Sequence, residues 1–220
     1  GYKCSSESHL QQHLIESGNQ QVYRRGLWRF ETRFNCDSGG RMVEIVNVVA
    51  SGALDVELDL ERLADDIGEP VARYDPDKYP GMYLRFEEDA PLITVYRTGK
   101  FIITGADSEE ESYSLRERFL NLFSDMGVIE EPEDEWVAIQ NYVCIGELDN
   151  LHLEPLSIRL GLYNTQYEPE QFPGLIYRPE GAEGVVLLFA TGKAVVTGCR
   201  SIESAEEIFA DLIETVSDFL

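Results

Sequence analysis

Apolar positions along this chain alternate between two periods, and the alternation runs through the same order twice. Residues 43–51 are rich in β-branched side chains and predict a strand. Leu60, Leu63, Ala64 and Ile67 fall at helical spacing and predict a short helix over 58–67. A proline-punctuated stretch, 70–80, leads into predicted strands at 82–86, 92–97 and 101–104. A long helix from about 108 to 126 closes the unit, its apolar face being Leu115, Phe119, Leu122, Phe123 and Met126. The order then repeats. A strand is predicted over 137–145, a short helix near 155–162, and strands at 175–178, 185–190 and 194–197. A last helix over 202–219 carries Ala205, Ile208, Phe209, Leu212, Ile213 and Val216 on one face. Residues 128–136 link the two runs.

The repeat extends to residue identity. Residues 74–85 read Y-D-P-D-K-Y-P-G-M-Y-L-R, and 93 positions later residues 167–178 read Y-E-P-E-Q-F-P-G-L-I-Y-R. The same offset carries Thr98-Gly99-Lys100 and Thr104-Gly105 onto Thr191-Gly192-Lys193 and Thr197-Gly198, while Asn47 maps onto Asn141 at an offset of 94. A period this long, occurring twice, is a duplicated half rather than a solenoid. Two matched halves predict a pseudo-two-fold surface, suited to a ligand that is itself nearly two-fold.

The strands carry a second message. Segments 185–189 and 101–103 are apolar on both faces. Two long helices cover only one face of an antiparallel sheet. The other face is therefore buried in a partner layer or dimer, or it is an exposed apolar surface of the kind that marks a binding site.

Charge changes the picture. The 220 residues carry 18 Lys+Arg against 41 Asp+Glu, a formal net charge of −23. Six of the basic and four of the acidic side chains lie in residues 1–41, so 12 and 37 remain beyond it, a net of −25. Such a balance normally argues against nucleic acid as a partner. It also suits a protein that must stay hydrated in molar salt, which is the reading adopted. Residues 1–41 lie outside the repeat and read as an N-terminal extension, disordered or non-native, with Met42 the functional start. Cys4, His9, His13 and Cys36 offer zinc-ligand types there, but their spacing matches no strong pattern. The four cysteines form no C-x-x-C pair, which favours a reducing interior with Cys144 and Cys199 in the core. No apolar run approaches a membrane span, and no signal-peptide core is present.

The duplicated F-P-G-L-I-Y-R run at 172–178, the T-G-K-x-x-x-T-G hairpins, and I-x-N-x-V at 45–49 and 139–143 together resemble the TATA-box-binding protein family in its archaeal form. The resemblance covers residues 43–220 in the correct order. It implies an α+β saddle: a pseudo-two-fold duplicated domain with one curved ten-stranded antiparallel sheet and four helices on its convex face. The repeats would span 42–130 and 131–220. It implies binding of A·T-rich promoter DNA in the minor groove, aromatic wedges that kink it, recruitment of transcription factor B and, through it, RNA polymerase, and a cytoplasmic location. No cofactor, metal or membrane is implied.

The resemblance also assigns residues. The minor groove presents only acceptors at A·T pairs, while G·C adds a donor amino group. Asn47 and Asn141 would donate near the dyad, supplemented by Thr104 and Thr197. Val49, Val143, Ile102 and Val195 would fill the groove floor and clash with a guanine amino group. The wedges would be Tyr79 and Tyr96 in the first half and Phe172 and Phe189 in the second. The tyrosines depart from the family's usual phenylalanine, and a phenol loses hydration unless its hydroxyl finds a partner. The first-half wedge should therefore gain less on insertion. Pro80-Gly81 and Pro173-Gly174 would stiffen the loops and permit close approach. Arg85, Arg178, Lys100 and Lys193 would contact phosphates, and Glu168 and Glu170 would face transcription factor B. Each Asn has a plainer alternative, satisfying nearby backbone, as the aromatics have in core packing, the lysines in generic turns and the glutamates in a solvated loop. Rival functions are an enzyme, disfavoured because the acidic residues scatter and His152 has no partner in a catalytic constellation, and a paralogue that occupies promoters or sequesters the B factor without general initiation activity. Free chains could also pair through this face as a homodimer.

Overall fold

Ten antiparallel strands form a single open sheet in the order β2-β3-β4-β5-β1-β6-β10-β9-β8-β7. The computed structural model describes residues 42–130 and 137–217, which belong to one unit beginning at Arg41. The expectations for residues 1–41, including the Cys4, His9, His13 and Cys36 set, lie outside the described residues.

The first half comprises β1 (Glu44–Ala53), α1 (Leu60–Ile67), β2 (Ala72–Arg73), β3 (Gly81–Leu84), β4 (Leu92–Tyr96), β5 (Lys100–Ala106) and α2 (Glu109–Asp125). The second comprises β6 (Val137–Glu147), α3 (Leu153–Arg159), β7 (Thr165–Gln166), β8 (Leu175–Tyr177), β9 (Val185–Leu188), β10 (Lys193–Cys199) and α4 (Ile202–Val216). The strand order reads the same from either end once halves are exchanged. The dyad falls between β1 and β6, where Val48 pairs with its own counterpart, Tyr142. This is the expected α+β fold, with the four helices contributing to two apolar cores.

The elements start where local chemistry says they should. Asp59, Ser108 and Ser201 cap α1, α2 and α4, each accepting from a backbone N–H in the first turn. His152 precedes α3 and makes no side-chain cap bond. The short helix expected near 155–162 begins and ends earlier, and Leu162 lies beyond it, exposed. Leu120 joins the buried face of α2, whereas Leu122 and Met126 are only partly buried. Each TGK turn places its glycine at positive φ, 76° at Gly99 and 88° at Gly192. A Cβ there would meet the carbonyl oxygens of Val56 and Leu148, so only glycine closes these hairpins.

Alternation sorts every strand into two faces. Ala50, Met82, Leu84, Ile93, Val95, Phe101 and Ile103 are buried in the core of the first half, while Val48 at the dyad packs into that of the second. Leu175, Val186, Leu188, Ala194 and Val196, with Cys144 and Cys199, are buried in that of the second. The intervening residues stand on the opposite face, which no helix among the described residues covers. Among the described residues, two helices per half thus leave one face of the sheet open.

Candidate nucleic-acid interface

Four side chains surround the dyad on the open face. Asn47 pairs with Val143 across β1 and β6, and Val49 pairs with Asn141. The arrangement maps onto itself when the halves are exchanged, since Asn47 corresponds to Asn141 and Val49 to Val143. Two β-bulges bring the asparagines there. The register shifts between Ile45 and Asn47 on β1, and between Val49 and Ala50 where β6 runs from Asn141 to Ile139. Val46 and Gln140, the extra residues, also correspond. Without them Asn47 and Asn141 would fall on the helix-covered face, because a one-residue slip inverts a strand.

The asparagine amides are held by backbone. Gly105 N–H donates to Asn47 Oδ1 at 2.7 Å, and Gly198 N–H donates to Asn141 Oδ1 at 2.6 Å. Both glycines have positive φ, 95° and 90°, at the matching irregularities of β5 and β10. The oxygen must face an N–H, so the amide nitrogen is turned the other way, presenting donors. The plainer reading of these residues, that they satisfy nearby backbone, is thus half of what the geometry does. Asn141 Nδ2 also donates to Thr197 Oγ1 at 3.2 Å. Asn47 has no matching bond to Thr104 among the described residues, and it is the more buried of the pair.

Apolar side chains flank this centre. Ile102 and Val195 sit on β5 and β10 between core residues, so they face the open side with Thr104 and Thr197. Lys100 and Lys193 open the same two strands in the same phase. Arg85 and Arg178 follow β3 and β8 and are tied by backbone bonds to Val71 and Asn164. Arg85 Nη1 additionally donates to the Glu88 carbonyl at 3.2 Å. The four expected phosphate contacts therefore lie at matched positions along the sheet margins.

The expected wedges form one pair at each end. Phe172 and Phe189 meet edge to face, with ring centroids 5.8 Å apart. Tyr79 and Tyr96 lie 6.2 Å apart and share a hydroxyl–hydroxyl hydrogen bond of 2.6 Å. The phenol thus finds the partner its desolvation requires, in its neighbour. Burial and the bond to Tyr79 push the Tyr96 hydroxyl far above its ordinary pKa, so it stays neutral. The adjoining Pro-Gly steps serve the rings. A Cβ on Gly81 would strike Tyr79 and approach Tyr96, and one on Gly174 would strike Phe172. Glycine lets each ring fold back over its own strand.

A third ring was not anticipated. Tyr83 stacks on Tyr79, 5.3 Å between centroids at 10°, and is 38% exposed. Its counterpart is Ile176. The signal was present in the duplicated run, where Y-L-R replaces I-Y-R. Glu168 and Glu170 are exposed in the second-half loop, Glu168 accepting from Gln166 Nε2 at 3.2 Å. No cluster of His, Cys, Asp and Glu able to hold a metal occurs among the described residues, and none of their helices is long and apolar enough to cross a membrane.

Comparison with known proteins places this geometry. The family model described as transcription factor TFIID (or TATA-binding protein, TBP) matches residues 42–126 and again 136–219. TATA-box-binding protein C of Halobacterium salinarum is 51% identical over 168 residues, covering 76% of this chain and 93% of that protein. The TATA-box-binding protein of Pyrobaculum islandicum is 43% identical over 167 residues, covering 75% and 81%. Among solved structures, Methanococcus jannaschii TBP superposes with a TM-score of 0.68 at 36% identity, covering 80% of this chain and 98% of that one. Two matched segments, one per half of a single ten-stranded sheet, establish that the chain belongs to the TATA-binding protein family.

Proposed function

We propose that this protein is a general transcription initiation factor that binds A·T-rich promoter DNA through its open face, in the minor groove. The observation that carries the reading is the Asn–Val square at the dyad. Its amide donors are fixed by Gly105 and Gly198, and its apolar neighbours leave no acceptor for a guanine amino group. Adenine N3 and thymine O2 would accept from Asn47 and Asn141, and the two threonines would extend the set. Val49, Val143, Ile102 and Val195 would lie against the groove floor. The ring pairs at the two ends would enter base steps and bend the duplex, which exposes more groove to the sheet. Lys100, Lys193, Arg85 and Arg178 would position the backbone without reading sequence. Glu168 and Glu170 would offer transcription factor B an acidic loop beside the second ring pair, and the polymerase would follow through that factor. Residues 42–130 and 131–220 would act as the two repeats, with 1–41 an extension outside them.

Net charge sets the conditions. A chain this acidic repels DNA at low salt, but at 1 M salt the Debye length falls to about 3 Å. Apolar burial in the groove is not screened. Affinity for an A·T-rich duplex should therefore rise as KCl increases into the molar range, and a monotonic fall in a gel-shift titration would count against this. The decisive experiment is a gel shift in molar KCl comparing the wild type with the Asn47→Ala/Asn141→Ala double variant. Two lost groove contacts, each worth about 1–3 kcal/mol, should weaken binding at least 30-fold or so. Equal binding by the two proteins would overturn the reading. A pull-down of the B factor on the same DNA then distinguishes an initiation factor from a paralogue that binds promoters without recruiting.

A further inference from the structure

The two ends of the open face carry chemically different rungs. In the first half, Ser51 pairs with Ile102, Ile102 with Thr94, and Thr94 with Tyr83. In the second half the corresponding residues, Ile145, Val195, Leu187 and Ile176, pair in the same sequence. Three of the four positions exchange a hydroxyl for an aliphatic group. The hydroxyls of Ser51, Thr94 and Tyr83 have no hydrogen-bond partner among the described residues, although Thr94 is only 8% exposed.

From this, and resting on the minor-groove reading proposed above, we infer that the first half tolerates a G·C pair in its outer half-site and the second half excludes one. A hydroxyl is both donor and acceptor and rotates to suit. Opposite an A·T pair it donates to adenine N3 or thymine O2. Opposite a G·C pair it accepts from the guanine 2-amino group. The aliphatic rung of Ile145, Val195, Leu187 and Ile176 does neither. It leaves a guanine amino group buried without an acceptor, a cost an A·T pair does not incur because it carries no amino group in this groove. The two halves are thereby matched to half-sites of different composition.

The test uses three duplexes of one length. One has an uninterrupted A·T tract, one has the outer pair at one end replaced by G·C, and one has both outer pairs replaced. The protein can turn end for end on such a site, so a single G·C end can always meet the first half. Wild type should bind the one-ended duplex as tightly as the A·T duplex, and the two-ended duplex roughly 5–150-fold more weakly, the range for one mismatched contact. The Thr94→Leu/Tyr83→Ile variant installs the residues that the second half already carries on the same pleat. It should lose the one-ended duplex by a similar factor relative to its own binding of the A·T duplex, the ratio of the two affinities being the readout because two hydroxyl donors are removed on both. Inosine in place of guanine, which lacks the 2-amino group, should restore that loss. Equal weakening of wild type at the first and second replacements, or a variant indistinguishable from wild type on all three duplexes, would overturn the inference. If wild type failed on the A·T duplex, the groove reading itself would fall and this inference with it.

Discussion

The two halves share a backbone but dress its two faces with different side chains. Under its helices the first half packs Phe101, Phe119 and Phe123 as tilted rings, with centroids 4.7 and 4.5 Å apart. The corresponding residues of the second half are Ala194, Leu212 and Val216, all buried, and the buried rings of its core are Phe209 and Tyr142. On the open face the order reverses in polarity. The first half presents tyrosines and hydroxyls where the second presents phenylalanines and aliphatic groups. What stays identical between the halves is what fixes the backbone and the dyad: the asparagines, Gly105 and Gly198 that hold them, and the TGK turns. Duplication preserved geometry and left chemistry free to diverge.

The comparison can be broken at its core first. Phe119 is fully buried and touches two other rings, so Phe119→Ala should destabilise the fold by about 3–5 kcal/mol, measured by urea unfolding. Its counterpart Leu212→Ala removes fewer atoms from an aliphatic site and should cost about 2–5 kcal/mol, toward the lower part of that range. Equal losses would mean that the tilted ring contacts add nothing beyond area. At the open face, Tyr96→Phe removes the bond to Tyr79 and should lower stability by about 1 kcal/mol, in line with a net hydrogen bond. The smallest contrast lies at the short helices. Asp59→Ala removes the cap of α1 and should cost about 1 kcal/mol, whereas His152→Asp supplies one that α3 lacks and should gain about 0.5 kcal/mol. A thermal melt that moved both variants in the same direction would remove that distinction.

Much of this was legible in the sequence. Eight strands follow from short runs rich in β-branched and apolar side chains, and the two long helices follow from their apolar faces at helical spacing. The remaining strands, β2 and β7, are two residues long, too short for any alternation, and only the family resemblance supplied a count of ten. The bulges at Val46 and Gln140 were equally invisible, because an inserted residue looks like ordinary strand until its partner is known. Leu162 read as helix because its apolar character fitted the spacing, but Gly161 at positive φ ends the turn before it. Among the site residues, the donors, groove residues and wedges all fall on the open face or its loops. Tyr83 escaped notice because its meaning depends on Thr94 opposite and Tyr79 above, neither of which adjoins it in the chain.

The bond from Gly105 to Asn47, with its twin from Gly198 to Asn141, has a thermodynamic consequence. A free asparagine side chain must give up rotation about two torsions when it grips a ligand, and that lost entropy is subtracted from affinity. Here both amides are immobilised when the strands zip together. The ordering is charged to folding, so under the proposed reading the donors would meet a duplex already at rest.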